Sequence, residues 1–191
     1  AISGGGKSYL TSILIEELLT RNDALGTPAI ILIDVHGEYT YLKDIPQLKD
    51  KVKVQDASYF QIAVPKMNAY SFRKYQKEIS NVQVRELSKY IKQLKKNKEN
   101  NGRFTLHDII ELVEKDTNGS KGTKQALIGW LSELAHLGLF GNQENPSLNN
   151  ITKKQHLTIF NLENEVNIRK KQIMVDYICY RLFLLRRMNR I

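Results

Sequence analysis

The residues best equipped for chemistry stand at the very start of the chain: Ala1-Ile2-Ser3-Gly4-Gly5-Gly6-Lys7-Ser8. A polyanion is gripped by successive backbone N–H groups that point inward, which requires small residues so that the backbone can approach closely. Gly4, Gly5 and Gly6 supply that freedom, and a helix beginning near Lys7 adds the positive end of its dipole. In such a phosphate cradle, running from Ser3 to Tyr9, Lys7 reaches the β- and γ-phosphates of a nucleotide and Ser8 ligates Mg²⁺. The usual pattern opens on glycine where this chain has Ala1, which is tolerated if φ stays negative there. A chance glycine-rich turn is the competing reading. The Lys-Ser pair and the helix-then-strand pattern that follows argue against it.

A second cluster, Asp34-Val35-His36-Gly37-Glu38-Tyr39, closes the apolar run Ala29-Ile30-Ile31-Leu32-Ile33. In doubly wound sheets ligands sit beyond the carboxyl ends of the strands, so Asp34, His36 and Glu38 should face the nucleotide. A carboxylate there can hold a metal-bound water or orient an attacking one. His36 could report the γ-phosphate, and Gly37 permits a tight turn. Two readings stay open: Asp34 and Glu38 serve as catalytic residues, or they cap a turn beside a surface histidine.

These clusters need a scaffold. Tyr9 to about Thr20 reads as a helix with Leu10, Ile13, Leu14 and Leu18 on its apolar face. Gly26 and Pro28 break it, and the run 29–33 suits a parallel strand buried on both faces. Short strands are expected at 52–54 and 61–64. From about 71 to 140 the pattern turns helical: apolar residues recur at helical spacing from Phe72 to Leu94, Thr105-Leu106-His107-Asp108 opens a further helix, and another runs from about Thr123 to Leu137. Residues 141–150 read as loop. Leu157-Thr158-Ile159-Phe160 is a strand, and Ile173, Ile178, Leu182 and Leu185 line a long final helix. The expected fold class is α/β: a RecA-like P-loop core of mostly parallel sheet flanked by helices (1–64 and 155–191), with a mostly helical insertion (66–150).

The 191 residues carry 29 Lys+Arg against 20 Asp+Glu, a formal charge of +9. Such a surplus suits polyanionic partners, nucleic acid before acidic lipid, but a Lys-rich composition alone can produce it. The single cysteine, Cys179, excludes an internal disulfide and suggests a cytoplasmic setting. No stretch has the ~20 apolar residues of a membrane span. The chain starts inside the phosphate loop and stops within a helical pattern, as a piece of a longer protein would.

Taken together, Ala1–Ser8, the helix Ser12–Leu19 and Ile31–Tyr39 resemble the HerA family of hexameric, ATP-driven DNA translocases of the HerA–FtsK class. Lys66-Met67-Asn68 and Leu157–Leu162 are similar to later segments of the family's layout. The resemblance implies a RecA-like motor that hydrolyses Mg·ATP at subunit interfaces of a homo-hexamer, moves on double-stranded DNA, and works with a NurA-type nuclease in DNA-end processing. It casts Lys7 as the stabiliser of phosphoryl charge, Ser8 as the magnesium ligand, and Asp34 and Glu38 as water- or metal-positioning groups. The strand ending in Asp-Glu and the arginine that reaches a neighbour's nucleotide are absent from these residues, so the piece alone should turn over ATP negligibly. Alternatives are a conjugation-type or viral packaging ATPase of the same superfamily, and a non-catalytic nucleotide-gated DNA-binding module.

Between Arg85 and Arg103 seven cations face two carboxylates. Such a run can neutralise nucleic-acid phosphates, but Tyr90, Ile91 and Leu94 interleave it at helical spacing, as on a solvated amphipathic helix. Arg186, Arg187 and Arg190 fit a solvated last turn or a subunit contact. Trp130 reads as core, and His107, His136 and His156 lie too far apart for a structural metal.

Overall fold

The computed structural model describes residues 6–22, 26–97 and 101–188. The chain divides into two compact units, Ala1–Phe60 with Pro146–Ile191, and Gln61–Asn145.

In the first unit, helix α1 (Lys7–Thr20) leads to strand β1 (Ile30–Asp34), and strand β2 (Val52–Asp56) follows after a 3-10 turn at Thr40–Asp44. The chain returns to this unit through a short helix and strand β5 (Leu157–Asn161), and ends in the long helix Ile168–Arg187. The three strands are all parallel in the order β1-β5-β2. Their register aligns Ile30, Leu157 and Val52, then Leu32, Ile159 and Val54, so these rows share one face. That face packs with Ile15 and Leu19 of α1 and with Leu42 and Leu48. On the opposite face Phe160 meets the edge of Phe60, which in turn meets Tyr177 of the last helix. Helices thus cover both faces, the α/β architecture expected for parallel strands.

Two expectations are corrected here. The run 29–33 is not buried on both faces: β5 is the central, buried strand, and β1 lies at the edge of the three-stranded sheet, with only Asp34 fully buried. The apolar face assigned to α1 is also the wrong one. Leu10, Ile13 and Leu14 are exposed and Leu18 is half-buried, while Ser12, Ile15 and Leu19 are buried. Apolar and polar residues are mixed around this helix, so periodicity alone does not choose a side. Hydrogen bonds do: Ser12 donates to the Ser8 carbonyl and accepts from the Tyr41 hydroxyl at 2.8 Å. At the far end Lys51 Nζ donates to the Leu19 carbonyl, satisfying one of the open acceptors of a helix terminus.

The second unit opens with β3 (Ile62–Ala63), cut short by a 3-10 turn containing Pro65, and closes with β4 (Phe140–Gly141), which pairs parallel to it. Gln61 and Asn145 exchange backbone hydrogen bonds of 2.8 and 3.0 Å, so the unit is zipped at its neck. Between lie α2 (Ala69–Tyr75), α3 (Asn81–Lys96), α4 (Leu106–Lys115) and α5 (Lys121–His136). The helical pattern from Phe72 to Leu94 is thus two helices. Ser80 and Gln83 form a reciprocal capping box that starts α3 afresh, and Thr105 with Asp108 does the same for α4. Phe72, Ile79, Leu87, Phe104, Leu106 and Ile109 are among its fully buried side chains. Trp130 is only partly buried. Residues 141–150, expected to be loop, contain the end of β4, the bridge at Asn145 and the start of α6 (Leu148–Ile151). The last helix, Ile168–Arg187, is α7. Among the described residues no helix is long and apolar enough to cross a membrane, and no group of His, Cys, Asp or Glu is placed to hold a metal.

Candidate nucleotide site

The carboxyl ends of the three strands are level, with Asp34, Asn161 and Asp56 in register. Each is an Asx residue whose side chain turns back onto the backbone just ahead of it. Asp56 accepts from Ser58, which donates through both its N–H and its hydroxyl, and Asn161 accepts from the N–H of Glu163. Those donations hold the Asp56 carboxyl below its ordinary value despite its partial burial. Asp34 is the most committed: Oδ1 accepts from the N–H of Glu38 at 3.0 Å and Oδ2 from that of Tyr39 at 2.8 Å. With only 2% of its surface exposed, Asp34 clamps the turn 35–39 from beneath.

That turn presents Glu38 to α1. Ser8 Oγ donates to Glu38 Oε2 at 2.6 Å, the short separation of a charge-assisted bond. The link from Tyr41 to Ser12 lies one turn further along α1, so two hydrogen bonds fix the start of the helix against the segment following β1. Gly37 makes the turn possible, at φ +73°. A Cβ added there would collide with the carboxylate of Glu163, on the segment after β5. Glu163 is a site neighbour that sequence reading passed over. Its one signal was Asn161 two residues earlier, the same polar strand end that Asp56 makes with Ser58.

The structure therefore brings together Ser8, Glu38, Asp34 and Gly37. His36 is exposed on the same turn, without a described hydrogen bond. Lys7, at the first position of α1, and Tyr9 are exposed too. Ser3, Gly4 and Gly5 lie outside the described residues. Gly6 is described: it caps α1 at φ +72°, with open space where a Cβ would stand. Gly6 brings no side chain to cap the first turn, and no acidic residue sits in that turn. A helix start left in this state offers donors and positive potential to a phosphate.

The sequence pattern described as "Helicase HerA, central domain" matches residues 1–182. Among solved structures, VirB4 of Thermoanaerobacter pseudethanolicus superposes with a TM-score of 0.61 at 13% identity, over 95% of this chain and 76% of that one. Identity that low speaks for the fold alone. No protein with a curated description matches in sequence.

Proposed function

The chain belongs to the HerA helicase central-domain family of P-loop ATPases, and on that premise we propose that it is the motor domain of an ATP-driven translocase on double-stranded DNA. The observation that carries the reading is the 2.6 Å bond from Ser8 to Glu38. It joins the end of the phosphate cradle to the carboxylate turn at the carboxyl ends of the strands, where α/β proteins bind ligands.

Magnesium and ATP fit what is present. A serine hydroxyl and a carboxylate are hard oxygen donors suited to Mg²⁺, and the uncapped start of α1 suits a phosphate. A hydroxyl has one proton and two lone pairs. By donating its proton to Glu38, Ser8 keeps its lone pairs free for a metal, so Glu38 sets the hydroxyl's orientation. Bound magnesium supplies charge neutralisation to the phosphates. Lys7 stabilises charge on the transferring phosphoryl group, and the backbone of Gly4 to Gly6 cradles the anion. Asp34 acts as a positioning residue, because both its oxygens already hold the turn that carries Glu38. The reading includes a ring of six subunits in the cytoplasm and a NurA-type nuclease as partner.

The test is hydrolysis by the full-length protein. Lys7→Ala should lower ATP turnover at least about a hundredfold, the scale of losing one transition-state donor, and duplex DNA should stimulate the unsubstituted protein. Wild-type turnover in Lys7→Ala would refute the mechanism. Turnover indifferent to duplex DNA would refute the translocase.

A further inference from the structure

We infer that the exposed face of α3 is a rail for the phosphate backbone of duplex DNA, separate from the nucleotide site. The choice of polyanion rests on the DNA-motor reading above; the surface itself does not depend on hydrolysis.

Arg85, Lys89, Lys92 and Lys96 follow one another at helical offsets of four, seven and eleven residues, so they form one line along α3. At 1.5 Å per residue that line is about 16 Å long. A DNA strand presents a phosphate about every 3.4 Å of rise, so the line spans about five of them. All four cations are exposed, while Val84, Leu87, Tyr90, Ile91 and Leu94 bury the opposite face. The stripe is therefore the side the fold does not use.

Charge is concentrated here. Unit 61–145 contains 14 Lys+Arg and 9 Asp+Glu, of which seven and two lie between Arg85 and Arg103. The remainder of the unit is balanced at seven of each, so the whole surplus belongs to α3 and the segment after it. Elsewhere in the unit three of the seven cations form ion pairs: Lys66 with Glu144, Lys115 with Glu111, and Lys124 with Asp116. On α3 the one carboxylate, Glu86, takes Lys89, and Lys95 donates to the Met67 carbonyl. Arg85, Lys92 and Lys96 carry no ion pair among the described residues. The capping box orders the helix from its first turn, so the backbone positions that carry the cations are aligned before DNA arrives.

The experiment measures binding of a labelled duplex of about 30 base pairs by the full-length protein without nucleotide, from about 50 to about 200 mM salt. The triple substitution Arg85→Gln, Lys92→Gln, Lys96→Gln should weaken binding at least about tenfold and flatten the log–log salt slope by about 2.7, at about 0.9 per lost contact. A control triple, Lys77→Gln, Lys115→Gln, Lys121→Gln, removes equal charge from the same unit and should change the slope by less than about 1. The charge-keeping triple Arg85→Lys, Lys92→Arg, Lys96→Arg should retain the wild-type slope, which guards against misreading a misfolded variant. Equal losses in the two glutamine triples would overturn the rail in favour of net charge. A wild-type slope in the stripe triple would overturn it outright, and so would loss of polyglutamate binding with duplex binding intact, the signature of an acidic protein partner. Lys7→Ala separates the two proposals: it should abolish hydrolysis and leave the stripe-dependent slope unchanged.

Discussion

At Gly37 the backbone runs at φ +73° and a methyl group would meet the Glu163 carboxylate. Gly37→Ala should therefore cost about 1–2 kcal/mol, from left-handed strain plus displacement of an exposed side chain. Adding Glu163→Ala should recover only the displacement, a separation that urea unfolding of the single and double variants reads directly. Asp34 and Glu38 predict different phenotypes although both are carboxylates of one motif. Asp34→Asn replaces one of two buried acceptors with a donor facing an N–H, and should lose about 2 kcal/mol of stability. Glu38→Gln, at an exposed position, should leave the melting temperature within about 2 °C while raising the magnesium concentration needed for half-maximal ATP turnover and lowering its rate. Equal melting losses in both variants would contradict the division between turn clamp and hydroxyl orienter.

Among the elements, α3, α4 and α5 are joined at Asp116, just past the end of α4. Tyr90 Oη donates to its Oδ2 at 2.7 Å, the Asn118 N–H to its Oδ1 at 2.8 Å, and Lys124 pairs with Oδ2 at 3.3 Å. The Tyr90 hydroxyl, then Asn118 and Lys124, hold the carboxyl down from 3.8 to about 2. A carboxylate whose pKa falls on folding stabilises above its unfolded value, and that stability is lost as pH drops through the folded one. The stability gap between wild type and Asp116→Asn should thus be constant above pH 4 and close between about pH 4 and 2, as followed by urea unfolding across acid pH. Ser80→Ala should cost about 1 kcal/mol by removing a capping box. These helices were legible because their signals are local: Thr105 and Asp108 mark a start within four residues, and Gly138 marks the stop after α5. The orientation of α1 was not. Leu10, Ile13 and Leu14 outweigh Ser12 in any apolar pattern, and Ser12 faces inward beside Ile15 and Leu19, where Tyr41 meets it from a distant part of the sequence. Edge placement of β1 was equally hidden, since it depends on a strand that arrives at Leu157. At the site, the cradle and Asp34–Glu38 were readable as motifs. Which carboxylate is buried among backbone donors and which meets Ser8 is decided by how the turn 35–39 folds, and no local pattern encodes that.

For the molecule as a whole, the sheet order β1-β5-β2 keeps the first two strands from pairing with each other. Both must be bridged by β5, which follows in the chain only after the whole of unit 61–145. That unit has its own buried helical core and a neck closed by Gln61 and Asn145, so residues 61–145 excised alone should show helical circular dichroism and a cooperative thermal transition. A non-cooperative melt would count against an autonomous unit. The neck has a consequence for biogenesis. As the nascent chain leaves the ribosome, β1 and β2 emerge well before β5, the strand that pairs with both, and unpaired strand edges favour aggregation. Closing Gln61 onto Asn145 shortens the connection from β2 to β5 from about a hundred residues to about fifteen, which lowers the entropic cost of loop closure by about 2 kcal/mol. With Gln61 and Asn145 joined, the central strand reaches its two neighbours across a short tether instead of a long one.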